Sequence, residues 1–290
     1  MLIGIDLDNT IINYENIFYE IAKKRKITTS KKLAKNKLKK IIEKKSIKEW
    51  TNIQGKVYGD KIISAELFLG FKKFINFAKK NNIQLIIISH KTKYPIVGKK
   101  VNLHDSAIKF LKKKLDNNEF KINKNLFFEE TIDDKIKRIT EKDCDYFIDD
   151  LKKIFLNKNF PNTTECLLFN DKNKDLKSFI NWDEIIHFFS KKIKINLNNT
   201  GKNNKSYTLK NNKIFVKCFN NIKKKKKFEN EIKFSQFLIH NNIKETPKIL
   251  NISKKRQIIK YEYHESFVKK VNTKNLLKIL KKNFTFIKKI

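Results

Sequence analysis

The sequence predicts an α/β protein with a parallel sheet over about residues 1–190, followed by a smaller α+β unit over 191–290. In the first part, short apolar runs of strand length alternate with longer segments of helical periodicity. This alternation is typical of parallel strands joined by helical crossovers. After Ser190 the pattern changes to short strand-like runs separated by turn residues. A chain of 290 residues is long enough for these two domains.

The first predicted strand ends in two acidic residues. Residues 2–5 form a short apolar run, and Asp6 and Asp8 follow it directly. Buried carboxylates are costly unless a cation or a reacting phosphate compensates them. The carboxyl edge of an open α/β sheet is also where ligands bind. A turn would explain one aspartate, but the run, the Asp-x-Asp-x-Thr pattern and the helical segment after it together predict a functional site.

A long helical segment follows, over about residues 14–77, because apolar residues recur there at helical spacing. Gly55 and Gly59 indicate turns within it.

The remaining elements of the first domain alternate regularly. A buried strand over 83–88 leads into Ser89 and His90, and a short strand over 126–128 precedes a helix that Thr131 is placed to cap. Further predicted elements are an amphipathic helix over 106–115, a strand over 145–148, a strand over 165–169 and a helix over 176–189. With right-handed crossovers, these elements form a Rossmann-like parallel sheet.

Four of these segments resemble, in order, the motifs of the haloacid dehalogenase (HAD) superfamily of phosphohydrolases. The resemblance covers residues 1 to about 170, and Asn9 stands where the family often has glycine. It implies that Asp6 is the nucleophile and that Asp8 is the general acid/base. It further implies that Ser89 and Lys135 hold the phosphoryl group, with Lys137 or Arg138 as substitutes if the register differs. In this family the insertion between the first two motifs is a helical cap over the site, and the segment over 14–77 has the length for one. Trp50 and Tyr58 would then either line the substrate pocket or belong to the core of the cap.

The resemblance also implies a magnesium site. The strand over 145–148 runs into Asp149 and Asp150, as the fourth motif of the family does. Asp6 and Asp149 would bind Mg²⁺ through their side chains and Asp8 through its backbone carbonyl. Asp150 would bind through a water molecule or support the other ligands. An acidic helix N-terminus would explain Asp150 alone, but not the whole set.

The second unit resembles the N-terminal lobe of the aminoglycoside/choline phosphotransferase family, which is similar to protein kinases. The matching features are strands predicted over 193–197 and 214–219, a turn at 211–212 and a strand over 258–263. This resemblance implies that Gly201 and Lys217 contact ATP phosphates and that Glu231 pairs with Lys217. No His-x-Asp catalytic loop or metal-binding Asp segment follows, so kinase activity of this unit alone is not expected. An unrelated α+β module is the alternative.

The formal charge of +37 indicates either nucleic-acid binding or lysines spread over every solvated surface. The lysines are distributed throughout the chain, which favours the second interpretation. No run of eighteen apolar residues predicts a membrane span, and the chain opens on a strand rather than a signal peptide. Three widely spaced cysteines in apolar runs indicate core thiols and a cytoplasmic protein.

Together these features predict a cytoplasmic Mg²⁺-dependent phosphatase. Its substrate would be a small phosphorylated metabolite, either a sugar phosphate or a nucleotide, and the reaction would pass through an aspartyl-phosphate. One alternative is a phosphatase of nucleic-acid ends that uses the basic charge. Another is a non-catalytic protein whose second unit binds ATP or a partner.

Overall fold

The computed structural model describes residues 1–27, 33, 35–115, 120–198, 206–209, 213–219, 225–240 and 247–262. The chain separates into two compact units, Met1–Ile193 and Lys194–Ile290.

The first unit is built on a six-stranded sheet in which every neighbouring pair of strands is parallel. The order across the sheet is β5-β4-β1-β6-β7-β8. This confirms the predicted parallel α/β architecture. Since all six strands run the same way, the residues that follow β1, β4 and β6 lie at one edge. The strands are β1 (Leu2–Ile5), β4 (Gln84–His90), β5 (Leu126–Glu129), β6 (Tyr146–Asp149), β7 (Glu165–Phe169) and β8 (Ser178–Phe179).

Helices cover this sheet, and their ends match sequence signals. Thr131 accepts a hydrogen bond from the backbone N–H of Asp134, which confirms the predicted N-cap. The side chain of Asn102 caps α5 by accepting from the N–H groups of His104 and Asp105. The helices of this layer are α4 (Phe71–Lys80), α5 (Leu103–Lys114), α6 (Ile122–Asn125), α7 (Ile132–Lys142), α8 (Lys152–Phe155) and α9 (Trp182–Asn198).

An insertion between β1 and β4 forms the helical layer. It leaves and re-enters the sheet layer through a two-stranded antiparallel ribbon, β2 (Ile12–Asn13) with β3 (Glu66–Leu67). Between these strands lie α1 (Glu15–Lys24), α2 (Lys35–Lys45), α3 (Ile47–Tyr58) and a 3-10 helix (Ile62–Ser64). We refer to residues 15–64 as the cap. It is shorter than the predicted 14–77, because α4 contacts β4 and belongs to the layer that covers the sheet.

Aromatic packing joins α4 and α9 to the sheet. The Trp182 ring lies 4.8 Å from Phe74 of α4 and 5.1 Å from Phe169 of β7, measured between ring centroids. Its indole N–H donates to the backbone carbonyl of Thr10 at 3.2 Å, just beyond the first acidic pair. Trp182 is fully buried, so these contacts fix the loop after β1 against the core.

Two predictions about elements were wrong. Residues 178–179 form the edge strand β8, so the helix predicted over 176–189 begins only at Trp182. The strand predicted over 193–197 is instead the end of this helix, which continues to Asn198. The alternating Ile-Lys-Ile-Asn-Leu run suggested a strand, but so short a run does not distinguish a strand from a final helical turn.

The second unit contains a four-stranded antiparallel sheet in the order β11-β12-β10-β9, with α10 between β10 and β11 in the chain. Its core includes Phe219, Phe228, Ile259 and Tyr261. The elements are β9 (Ser206–Leu209), β10 (Ile214–Cys218), α10 (Lys225–His240), β11 (Ile249–Ser253) and β12 (Ile258–Glu262). Among the described residues of both units, no helix combines the length and hydropathy needed to cross a membrane.

Candidate active site

Two buried aspartates share one buried lysine at the carboxyl edge of the sheet. Lys135 Nζ lies 2.5 Å from Asp6 Oδ1 and 2.7 Å from Asp149 Oδ2. Asp6 follows β1, Asp149 ends β6, and Lys135 lies in the first turn of α7. The three side chains are at most 7% exposed, so their charges interact in a poorly hydrated environment.

The same crowding shifts the proton affinities of the site. Burial raises the pKa of Asp6 to about 7; the ion pair with Lys135 opposes this, and the charges of Asp149 and Asp8 add to it. Burial favours a neutral Lys135, but its two aspartate partners outweigh that effect and raise its pKa. Lys135 is therefore a fixed cation between two carboxylates. The predicted substitutes do not occupy this position, because Lys137 is exposed and Arg138 pairs with Glu129 and Glu141.

A third carboxylate, that of Asp150, completes an acidic cluster. Ligand oxygens of Asp6, Asp149 and Asp150 all lie within 4.8 Å of one another. Burial and the charges of Asp149 and Asp6 raise the pKa of Asp150 well above its usual value. Asp149 Oδ1 also accepts from the Leu151 backbone N–H at 2.9 Å, which fixes this carboxylate. Three crowded carboxylates are hard oxygen donors and suit a divalent cation such as Mg²⁺.

Asp8 lies outside this cluster and is held by one hydrogen bond and one ion pair of its own. Tyr14 OH donates to Asp8 Oδ1 at 2.6 Å, and Lys91 Nζ lies 2.8 Å from Asp8 Oδ2. Asn9, the next residue, has φ of 62°, in the left-handed region that asparagine tolerates and glycine prefers. The backbone conformation thus explains why asparagine is compatible with this position.

Ser89 and His90, which follow one another in β4, differ in their access to the site. Ser89 is fully buried, and its Oγ has no hydrogen-bond partner among the described residues. It does not line the cavity described below, so its predicted contact with a phosphoryl group stays a prediction. His90 does line that cavity, and its Nε2 is 3.0 Å from the carbonyl of Glu130. Burial, together with the nearby charges of Lys135 and Lys153, lowers the pKa of His90.

A cavity of about 440 Å³ lies between the sheet edge and the cap. Its size is within the range of small-molecule sites. Trp50 and Tyr58 of α3 both line it, while the Trp50 ring also stacks on Phe18 with centroids 5.0 Å apart. The sheet side contributes acidic and basic groups to the lining, namely Asp6, Asp8, His90, Lys91, Lys135, Asp150 and Lys153.

Three residues that shape this site were not predicted from the sequence: Tyr14, Lys91 and Lys35. Lys91 comes directly after the Ser89-His90 pair, and its Nζ also lies 4.6 Å from the centroid of the Tyr58 ring. The position of Lys91 next to these residues was the one sequence signal that could have predicted its place in the site. Tyr14 immediately precedes the cap and Lys35 lies within it. In this segment periodicity gives no information about which side chains point toward the sheet.

Among its described residues, the second unit contains a partly buried polar cluster. Lys217 Nζ lies 2.6 Å from Glu231 Oε1, which joins β10 to α10. Tyr261 OH donates to the same carboxylate at 3.1 Å. Burial and the charge of Glu231 raise the pKa of Tyr261. The predicted pair of Lys217 and Glu231 is therefore in contact, whereas Gly201 lies outside the described residues.

Comparisons with known proteins give structural neighbours alone. No protein-family model matches the chain. No curated protein matches it either. A HAD-superfamily hydrolase from Ehrlichia chaffeensis is similar with a TM-score of 0.41 and 15% identity, over 66% of this chain and 97% of that one. A HAD-superfamily hydrolase, subfamily IA, variant 1, from Geobacter sulfurreducens is similar with a TM-score of 0.41 and 9% identity, over 64% of this chain and 95% of that one.

A third neighbour is a predicted phosphoglycolate phosphatase from Haemophilus somnus, with a TM-score of 0.39 and 11% identity over 65% of this chain and 97% of that one. Similarities at this level do not determine an activity. The proposed function therefore rests on the side chains of the site itself.

Proposed function

We propose that this chain is a metal-dependent phosphatase of the HAD type that hydrolyses a small phosphorylated metabolite. The observation that carries the proposal is the buried Asp6–Lys135–Asp149 arrangement at the carboxyl edge of a parallel sheet. The order of the four sequence motifs supports it as well. A cavity beside these groups leaves room for a substrate of modest size.

In the proposed reaction, a carboxylate oxygen of Asp6 attacks phosphorus and the bond from phosphorus to the leaving oxygen breaks. The Asp8 carboxyl gives its proton to the leaving oxygen. In the second step Asp8 takes a proton from water, whose oxygen attacks the aspartyl-phosphate and releases inorganic phosphate. Tyr14 and Lys91 fix the orientation of the Asp8 carboxylate throughout. Lys135 stabilises negative charge on Asp6 and on the phosphoryl oxygens.

The proposed cofactor is Mg²⁺, held by Asp6, Asp149 and Asp150 with the backbone carbonyl of Asp8. A bound divalent cation would neutralise these carboxylates and stabilise charge on the phosphoryl group. The donor set supports this assignment, because three oxygen ligands lie within 4.8 Å and two of them have raised pKa values. Ser89 is proposed to hold the phosphoryl group through its buried Oγ.

The test is hydrolysis of p-nitrophenyl phosphate with Mg²⁺ or with EDTA. We expect metal-dependent turnover that falls by at least about a thousandfold in Asp6→Asn, since the nucleophile is lost. Asp171→Asn, a change at an exposed aspartate outside the cavity, is the matched control. Full turnover in a folded Asp6→Asn variant would rule out this mechanism.

A second candidate function concerns the second unit, for which we propose nucleotide binding at Gly201, Lys217 and Glu231. The 2.6 Å pair of Lys217 and Glu231, within an antiparallel sheet flanked by one helix, supports this idea. Titration with ATP should give binding that Lys217→Met removes and that Lys213→Met, an exposed control, preserves. Equal binding by both variants would contradict the proposed site.

A further inference from the structure

The cavity is lined by more lysines than the proposed reaction requires. Five of its described lining residues are lysines, against three aspartates. Two of the lysines, Lys91 and Lys135, lie within 2.8 Å of aspartate carboxylates and belong to the catalytic groups above. The others are Lys35 and Lys39 of α2 and Lys153 of α8.

Among the described residues, none of these three lysines has a carboxylate oxygen closer than 3.7 Å to its ammonium group. Among the described residues, neither Lys35 nor Lys153 has a carboxylate oxygen within 4.0 Å, and Lys39 has one, from Glu43 at 3.7 Å. Lysines are common in this chain, with 67 basic residues in all, so exposed examples such as Lys39 mean little alone. Lys35 is the one of the three that is partly buried, so its position is the stronger indication of a ligand.

Lys35 is held in place by aromatic side chains of the cap. Its Nζ lies 5.3 Å from the Phe18 ring centroid and 6.0 Å from that of Tyr58, and donates to Tyr58 OH at 3.4 Å. Burial lowers the pKa of Lys35, but interactions with Tyr58 and Asp150 outweigh it and keep this ammonium charged. A charged, partly buried lysine without a close carboxylate is costly, and a bound anion would offset that cost.

We propose that Lys35, assisted by Lys39 and Lys153, binds a second anionic group carried by the substrate. This inference rests on the proposed phosphatase function and narrows it. The substrate class is then a small phosphomonoester with a carboxylate or a further phosphate at its other end. Asp6 and Lys135 receive the phosphoryl group, while the lysines of α2 and α8 receive the distal anion. Simple sugar monophosphates lack this distal charge and are poorer ligands.

The test compares matched pairs of ligands. 3-Phosphoglycerate has a carboxylate where glycerol 3-phosphate has a hydroxymethyl group. Ribose 1,5-bisphosphate has one phosphate more than ribose 5-phosphate. We expect kcat/KM to be about tenfold or more higher for the member with the second anion, as one charge-assisted contact provides. Lys35→Gln should reduce that preference several-fold, and Lys37→Gln, an exposed change on the same helix, should leave it intact.

Binding measured by calorimetry on the same full-length proteins separates this inference from the proposed function. Tighter binding of 3-phosphoglycerate that Lys35→Gln removes, without turnover of any phosphoester, would support the anion site and contradict the phosphatase. Turnover with no preference within either pair would overturn the anion site and leave the phosphatase standing. A preference for a 5′-phosphorylated oligonucleotide over both 3-phosphoglycerate and ribose 1,5-bisphosphate would also overturn it.

Discussion

Lys135 Nζ lies 2.5 Å from Asp6 Oδ1, although 129 positions separate the two residues in the chain. The same ammonium group contacts Asp149 Oδ2 at 2.7 Å. One cation therefore compensates two buried carboxylates that come from two neighbouring strands. This arrangement links the stability of the sheet edge to the proposed chemistry.

Replacing Lys135 should affect both properties. In Lys135→Met, the loss of the shared cation should lower the free energy of unfolding in EDTA by about 3 kcal/mol, because two buried carboxylates remain. Phosphatase turnover should fall at least about a hundredfold. Urea denaturation and p-nitrophenyl phosphate assays measure the two effects. Lys137→Met changes an exposed lysine of the same helix and should alter neither. Equal losses of stability and turnover in Lys135→Met and Lys137→Met would refute the role of Lys135 as the shared cation.

The raised pKa of Asp6 predicts a pH-dependent stability in metal-free protein. A carboxyl group with a pKa near 7 in the folded state and 3.8 in the unfolded state binds more protons when folded. Its contribution to stability therefore falls as pH rises from about 4 to 7. Asp6→Asn removes this titrating group, so in EDTA the Tm of Asp6→Asn minus that of the wild type should rise between about pH 4 and 7 and then level off. A Tm difference that stays constant over this range would contradict the prediction. Asp171→Asn should give no such trend.

Tyr14 positions Asp8 through a hydrogen bond of 2.6 Å. Tyr14→Phe keeps the buried ring and removes only the hydroxyl, so we expect a folded protein with kcat reduced about tenfold. KM should change little, because the Tyr14 hydroxyl is not a substrate ligand in the proposal. Steady-state kinetics checks this, with Tyr19→Phe in α1, the helix that Tyr14 precedes, as the control. An unchanged kcat would show that Asp8 does not need this donor.

Gly4, in the middle of β1, leaves no space for a side chain. A Cβ atom there would lie 2.6 Å from Cδ2 of the buried Phe147 ring and 3.0 Å from Cys144 Sγ. Gly4→Ala should lower the free energy of unfolding by about 1–3 kcal/mol, the usual cost of overpacking a dense core. Denaturant unfolding of the purified protein measures it. The double variant Gly4→Ala with Phe147→Leu should recover part of the loss, and no recovery would point to the contact with Cys144 Sγ instead.

Most of the first unit was predictable because its signals are local. The apolar runs predicted as strands between residues 2 and 169 became strands, and Thr131 capped its helix as predicted. The edge strand β8, only two residues long, carries no comparable signal and was missed. The end of α9 was also misjudged, because a five-residue alternating run is compatible with either secondary structure.

The sequence by itself placed acids after β1 and β6, and parallel pairing alone then requires that Asp6, Asp149 and Asp150 meet at one edge. Only the tertiary structure decided that Lys135 joins Asp6 to Asp149, that Tyr14 and Lys91 hold Asp8, and that Lys35 faces the cavity. The physical reason is that the spacing of apolar residues in the sequence shows which face of a helix is apolar and which is polar. The neighbour that each face meets depends on how the cap packs over the sheet, and that follows from contacts distant in the chain.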